Sequence, residues 1–208
     1  MARIGYFIGS LAEGSINRTL SKALIGLAPP DLEFTEIAIK DLPLYSYDYD
    51  ADYPAVGRTL KRDIEASDGI LFVSPEYNRS IPGALKNAID WGSRPSGQNS
   101  FARKPTGIIG ASPGEIGTAV MQASMRSVLS YLYAPQLNSP EAYIKFDAEV
   151  FAPDGSVRDE STAQFLRTYM EEYAAFVERV VFADRYASTA DSDELANPGG
   201  CDARRSVQ

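Results

Sequence analysis

Between Gly69 and Trp91 the chain passes from an unbroken apolar run, GILFVS, through a polar loop, PEYNRS, into a segment with Ala84, Leu85, Ala88, Ile89 and Trp91 at helical spacing. A short apolar run with no alternation reads as a strand buried on both faces. Pro82-Gly83 breaks the loop and sets the start of the helix. The unit is strand, loop, helix. In open α/β sheets, ligands bind in loops at the carboxyl ends of such strands.

The same alternation recurs along the chain. Arg3 to Ile8 is predicted as the first strand and Asn17 to Leu27 as a helix, joined by the small-residue loop GSLAEGSI. Leu32 to Ile39 alternates apolar and polar residues as a half-buried strand does. A polar loop over Asp41 to Pro54 leads to a helix over Ala55 to Ala66, and then to the Gly69 to Ser74 strand. Pro105 to Ala111 predicts a fourth strand and Thr118 to Tyr133 a helix, and Pro140 to Phe146 includes a short fifth strand. Ser161 to Phe182 predicts a final helix with Phe165, Leu166, Tyr169, Tyr173, Phe176 and Val180 on its apolar face. Five β-α repeats imply an α/β fold with a parallel sheet, and the strand order 2-1-3-4-5 places the switch point between strands one and three. That order brings Gly9–Asn17 beside Ser74–Ser80. The expected organisation is one domain over 1–183 and a polar C-terminal extension over 184–208.

Composition narrows the chemistry. A formal net charge of -8 disfavours nucleic acid as a partner, because phosphate-backbone binding needs clustered Lys and Arg. No apolar run is long enough for a membrane helix, and MARIGYFIGS has no signal-peptide layout, so a cytoplasmic protein is expected. One cysteine, Cys201, allows no intrachain disulfide, and no histidine is present. Histidine-based hydrolysis and zinc-histidine chemistry are therefore excluded, and redox or group-transfer chemistry would have to come from a bound cofactor.

Three loops carry candidate residues. In Gly9–Asn17, free N–H groups at a helix start attract an anion, and Ser10, Ser15 and Asn17 add side-chain donors. The loop lacks both the P-loop Gly-Lys-Ser/Thr and the G-x-G-x-x-G fingerprint, so a single terminal phosphate suits it better than a pyrophosphate. The alternative is a helix start capped by Ser15 or Asn17 with no ligand. Pro75, Glu76, Tyr77 and Asn78 follow a buried strand and can read the edge of a planar heterocycle, with Tyr77 offering a ring for stacking. Ser112, Pro113 and Gly114 form a third small loop on the same sheet edge, equally consistent with a plain turn. Asp48, Asp50 and Asp52 open like a calcium loop, but Tyr53 and Thr59 stand where Gly and Glu are required, which favours a solvated loop. Tyr45, Tyr47, Tyr49 and Tyr53 fit a subunit contact, a ligand rim or loop packing equally.

On these residues the chain resembles the NADPH-dependent FMN reductases, a flavodoxin-like family that includes quinone, chromate and azo-dye reductases. The resemblance rests on GS-x(4)-S-x-N at Gly9 to Asn17 and on PEYNRSIPGALKNAIDW, and covers about Arg3 to Ala183. Ser93-Arg94-Pro95, Gly110 to Gly114 and Gly117-Thr118 support it. It implies a flavodoxin-like three-layer sandwich and an FMN cofactor. Ser10, Ser15 and Asn17, with the Ile16 backbone, would hold the phosphate. Pro75, Glu76, Tyr77 and Asn78 would line the isoalloxazine, bordered on its other edge by Ser112, Pro113 and Gly114. It also implies NADPH or NADH as hydride donor, a small-molecule electron acceptor and a homodimer or homotetramer, the dimer formed by the helices after strands three and four. Relatives often carry Arg where this chain has Ala12, so that either FMN binds more weakly here or Arg18 compensates. Separately from the resemblance, Arg79 or Arg94 is a candidate to meet the NADPH phosphate, the alternative for either being a plain surface charge. The rival readings are a flavodoxin-like electron carrier without NAD(P)H oxidation and a flavin-free phosphate-binding protein.

Overall fold

The computed structural model of the protein describes residues 1–196. The elements follow in the order β1 (Ala2–Ile8), α1 (Ile16–Leu27), β2 (Leu32–Glu36), α2 (Ala55–Glu65), β3 (Gly69–Val73), α3 (Gly83–Gly92), β4 (Thr106–Ser112), α4 (Ala119–Tyr131), β5 (Tyr143–Lys145) and α5 (Glu160–Ala196). All sheet pairings are parallel, in the order β2-β1-β3-β4-β5. The expected flavodoxin-like sheet is the observed one. Among the described residues, no helix is long and apolar enough to cross a membrane.

The central strand explains why the chain folds this way. Every residue of GILFV in β3 is buried, so its side chains alternate into two separate cores. Leu71 and Val73 join Ile4, Leu24, Ile109, Tyr169 and Tyr173 beneath α1 and α5. Ile70 and Phe72 join Phe7, Ile64, Trp91, Phe101 and Met121 beneath α2, α3 and α4. Phe7 stacks on Phe72 across β1 and β3 at 5.1 Å between ring centroids. Replacing either ring by alanine removes a fully buried side chain, at a cost of about 3–5 kcal/mol.

Most boundaries shift by a residue or two, and two of the differences from the sequence expectation have a physical reason. The second strand ends at Glu36 rather than Ile39: Ile37 N makes a last bond to the Tyr6 carbonyl at 2.9 Å, and the Ile37 and Ile39 side chains then lie in the α2–α3 core. The last helix continues past Phe182 to Ala196. Asp159 caps its start, accepting hydrogen bonds from Ser161 Oγ at 2.6 Å, Thr162 N at 2.7 Å and Thr162 Oγ1 at 2.7 Å. Those donors push its carboxyl down to about 2. Asn197-Pro198-Gly199-Gly200, Cys201 and Arg204-Arg205 of the proposed extension lie outside the described residues.

Three of the four tyrosines in the 41–54 loop surround Trp91. Tyr45, Tyr49 and Tyr53 place ring centroids 5.3, 5.2 and 5.1 Å from it. Loop packing is their role in this chain, while Tyr47 is exposed. Asp50 of the same loop accepts from Tyr45 OH at 2.8 Å and pairs with Arg94.

Candidate active site

The carboxyl ends of β1, β3 and β4 converge on Ser74. A Cβ added at Gly9 would collide with the Ser74 hydroxyl, and one at Gly110 with the Ser74 carbonyl. Glycine is required at both positions because the strand ends run too close for any side chain. The loops after these three strands therefore share one rim.

At one end of the rim lies the start of α1. Ser15 occupies the N-cap position with extended backbone, yet its side chain makes no capping bond. Ser10 and Ser15 are both buried. The Ile16 and Asn17 amides, in the first turn, find no acceptor among the described residues. No acidic side chain occupies that turn. Buried hydroxyls beside bare helix-start amides make a site for an anion. The Ser10 hydroxyl also accepts from Ala12 N at 3.3 Å.

Two side chains assigned to this end do something else. Asn17 donates from Nδ2 to the Ala111 carbonyl at 2.9 Å and accepts from Ala111 N at 2.9 Å, fully buried. Its amide ties α1 to β4, which leaves only its main-chain N–H facing an anion. Arg18 binds Glu36 through both terminal nitrogens, at 2.7 and 2.9 Å. With its guanidinium committed to the end of β2, Arg18 does not replace the cation missing at Ala12. The cradle is built from neutral donors.

The β3–α3 loop forms the middle of the rim. Tyr77 and Ser80 exchange both main-chain hydrogen bonds, at 3.1 and 3.0 Å, around a two-residue turn. Asn78 and Arg79 in that turn have φ of 51° and 61°. This is the left-handed pair that a tight hairpin turn demands, with Asn-Gly its preferred sequence. Asn adopts that conformation readily, whereas a long side chain carries a penalty of about 1–2 kcal/mol. The Tyr77 ring is half exposed, and its hydroxyl lies 3.4 Å from Ser10 Oγ, joining the first two loops. Pro75 is buried below it and accepts from Ser74 Oγ at 2.9 Å.

Glu76 has a role that sequence reasoning missed. Its side chain is only 7% exposed, and Oε2 accepts from Met121 N at 2.9 Å in the first turn of α4. Thr118, at the α4 N-cap, makes no side-chain cap of its own. A carboxylate from a distant loop thus caps this helix, favoured by the helix dipole. What Glu76 offers a ligand is its main chain. Arg94 is likewise committed, donating to Tyr45 OH at 2.9 Å and pairing with Asp50.

The β4–α4 loop closes the far end. Ser112 Oγ donates to the Gly117 carbonyl at 2.7 Å and accepts from Gly114 N at 3.2 Å, which fixes the loop and leaves Pro113 and Gly114 open to solvent. Leu11 and Ile116 are exposed apolar side chains in the loops at the two ends. The sequence does not mark either, because an isolated Leu or Ile in a polar loop carries no distinguishing signal.

The arrangement fits FMN: an anion cradle at one end, an exposed aromatic ring in the middle and small open turns at the other. Comparison with known proteins points the same way. Residues 2–149 match the model of the NADPH-dependent FMN reductase family. A 2-hydroxy-1,4-benzoquinone reductase from Burkholderia sp. is 49% identical over 175 residues, covering 84% of this chain and 96% of that protein. A quinone reductase from Pseudomonas putida is 41% identical over 175 residues, covering 84% and 94%. Among solved structures, FerB, a flavoenzyme NAD(P)H:(acceptor) oxidoreductase from Paracoccus denitrificans, superposes with a TM-score of 0.83 at 45% identity. It covers 86% of this chain and 98% of its own.

Proposed function

Because the chain belongs to the NADPH-dependent FMN reductase family, we propose that FMN lies along the rim of three loops and that a small quinone is its electron acceptor. The protein is an FMN-dependent NAD(P)H oxidoreductase. When bound, FMN takes a hydride from NAD(P)H and passes electrons to the acceptor. The observation that carries the placement is the Ser15 cap position without a cap bond, beside two amides with no acceptor among the described residues and next to Tyr77 through Ser10.

Each residue then has a task. Ser10 and Ser15 donate hydroxyls to the phosphate, and the Ile16 and Asn17 amides donate along the helix axis. The main chain of Pro75, Glu76, Tyr77 and Asn78 borders the ring on one side, and Ser112, Pro113 and Gly114 border it on the other. Tyr77 and the flanking Leu11 and Ile116 keep water from part of the ring. Tyr77, Pro113 and Gly114 are exposed to solvent along the rim, so donor and acceptor would use the same place in turn, a ping-pong order. The chain contains no histidine, and this chemistry requires no protein acid or base.

The exposed side chains around the rim suit a second copy of the chain, so a homodimer or homotetramer is part of the proposal. The family domain extends over 1–183, with 184–208 an addition to it, and the protein acts in the cytoplasm.

The test is the visible spectrum of the purified protein, followed by anaerobic mixing with NADPH. The flavin band should bleach with NADPH alone and return on adding a benzoquinone. A band that bleaches only with a separate reductase would indicate an electron carrier instead.

A further inference from the structure

We propose that Arg79 selects NADPH over NADH by receiving the phosphate on the adenosine 2′-oxygen. The proposal rests on reading the rim as the flavin site. Arg79 holds the second position of the Tyr77–Ser80 turn at φ 61°, where glycine is the residue the backbone favours. Such a conformation in a residue other than glycine points to a task that outweighs it. Packing does not supply one, because the side chain is 66% exposed. Folding electrostatics supply little, since a single guanidinium nitrogen reaches Glu76 Oε1 at 3.3 Å, and the other oxygen of that carboxylate serves Met121 N. Most of the five guanidinium donors thus face solvent, in the same turn as the exposed Tyr77.

Other cations of the chain are engaged. Arg18 is held by Glu36, Arg94 by Asp50 and Tyr45, and Lys86 by Asp90 at 2.6 and 2.9 Å. A dinucleotide approaching a chain of net charge -8 needs a local cation, and Arg79 can exchange its one-point contact with Glu76 for a two-point contact with phosphate. NADH lacks that phosphate and gains nothing from the exchange. Discrimination then comes from one residue, outside the hydride-transfer geometry.

The test uses the full chain and two variants, Arg79→Gly and Arg79→Lys. Glycine suits the turn, so Arg79→Gly should melt no lower than the parent protein. Affinity for adenosine 2′,5′-bisphosphate and for 5′-AMP is measured by calorimetry, and kcat/KM for NADPH and NADH by anaerobic mixing. Arg79→Gly should lose about 10- to 100-fold for the bisphosphate and for NADPH, with NADH and 5′-AMP changed by less than about twofold. Arg79→Lys should recover part of the loss, as a point charge does. Equal losses for both dinucleotides, or none for either, would overturn the proposal. FMN titration separates the two readings. FMN bound with bisphosphate affinity unchanged defeats Arg79 alone. Bisphosphate affinity lost in Arg79→Gly by a protein that binds no FMN defeats the flavin reading and leaves the phosphate contact standing.

Discussion

The two loops that flank Ser74 use their polar groups in opposite ways. In the β1–α1 loop, Ser15 stands at a helix start without capping it, and two amides have no acceptor among the described residues. In the β3–α3 loop, Glu76 caps a helix from another part of the chain, and Tyr77 and Ser80 satisfy each other. A folded protein rarely leaves buried polar groups unpaired. The contrast therefore separates the end that awaits a charged ligand from the end that is braced before any ligand arrives. Bracing suits a flat ring, whose contacts come from main chain and an aromatic face. Unpaired donors suit a phosphate.

Among the polar contacts of these loops, the largest expected effect comes from cutting the tie between Asn17 and Ala111. Asn17→Ala removes both bonds to Ala111 and leaves a buried N–H and C=O without partners, a loss of about 2–4 kcal/mol by denaturant unfolding. Glu76→Ala should cost about 1–2 kcal/mol and speed hydrogen exchange of the Met121 amide, because the first turn of α4 loses its cap. Ser15→Ala sharpens the contrast from the other side. An ordinary N-cap serine costs about 1 kcal/mol when truncated, whereas here stability should change by less than about 0.5 kcal/mol while FMN affinity falls about tenfold. A full capping cost with FMN affinity intact would mean that the serine belongs to the fold.

A smaller effect lies at α5, far from the rim. The hydrogen bonds to Asp159 depress its carboxyl from 3.8 to about 2. A depressed acid stabilises the fold above its unfolded value and loses that contribution as pH falls through the folded one. Melting temperature should therefore drop between about pH 4 and 2, and Asp159→Asn should flatten part of that slope.

The sequence makes the rim legible where local chemistry decides. Apolar runs ending at Ile8, Val73 and Ala111, each followed by Gly, Pro or Ser, mark three strand ends and their loops. It does not reveal where side chains reach across the fold. Asn17 and Ala111 are 94 residues apart, and Glu76 and Met121 are 45 apart, so an amide and a carboxylate that look like ligand contacts are fold contacts. Arg18 reads as a spare cation until β2 places Glu36 beside it. The α5 boundary fails for a different reason. Apolar periodicity stops near Phe182, but Ala183, Ala187 and Ala190 are strong helix formers that continue the helix without it.

The most direct measurement compares FMN with riboflavin, which lacks the phosphate, by quenching of flavin fluorescence on titration with the protein. Unpaired donors at the start of α1 predict FMN binding at least about 100-fold tighter than riboflavin. Equal affinity for the two flavins would contradict the assignment of that helix start to a phosphate.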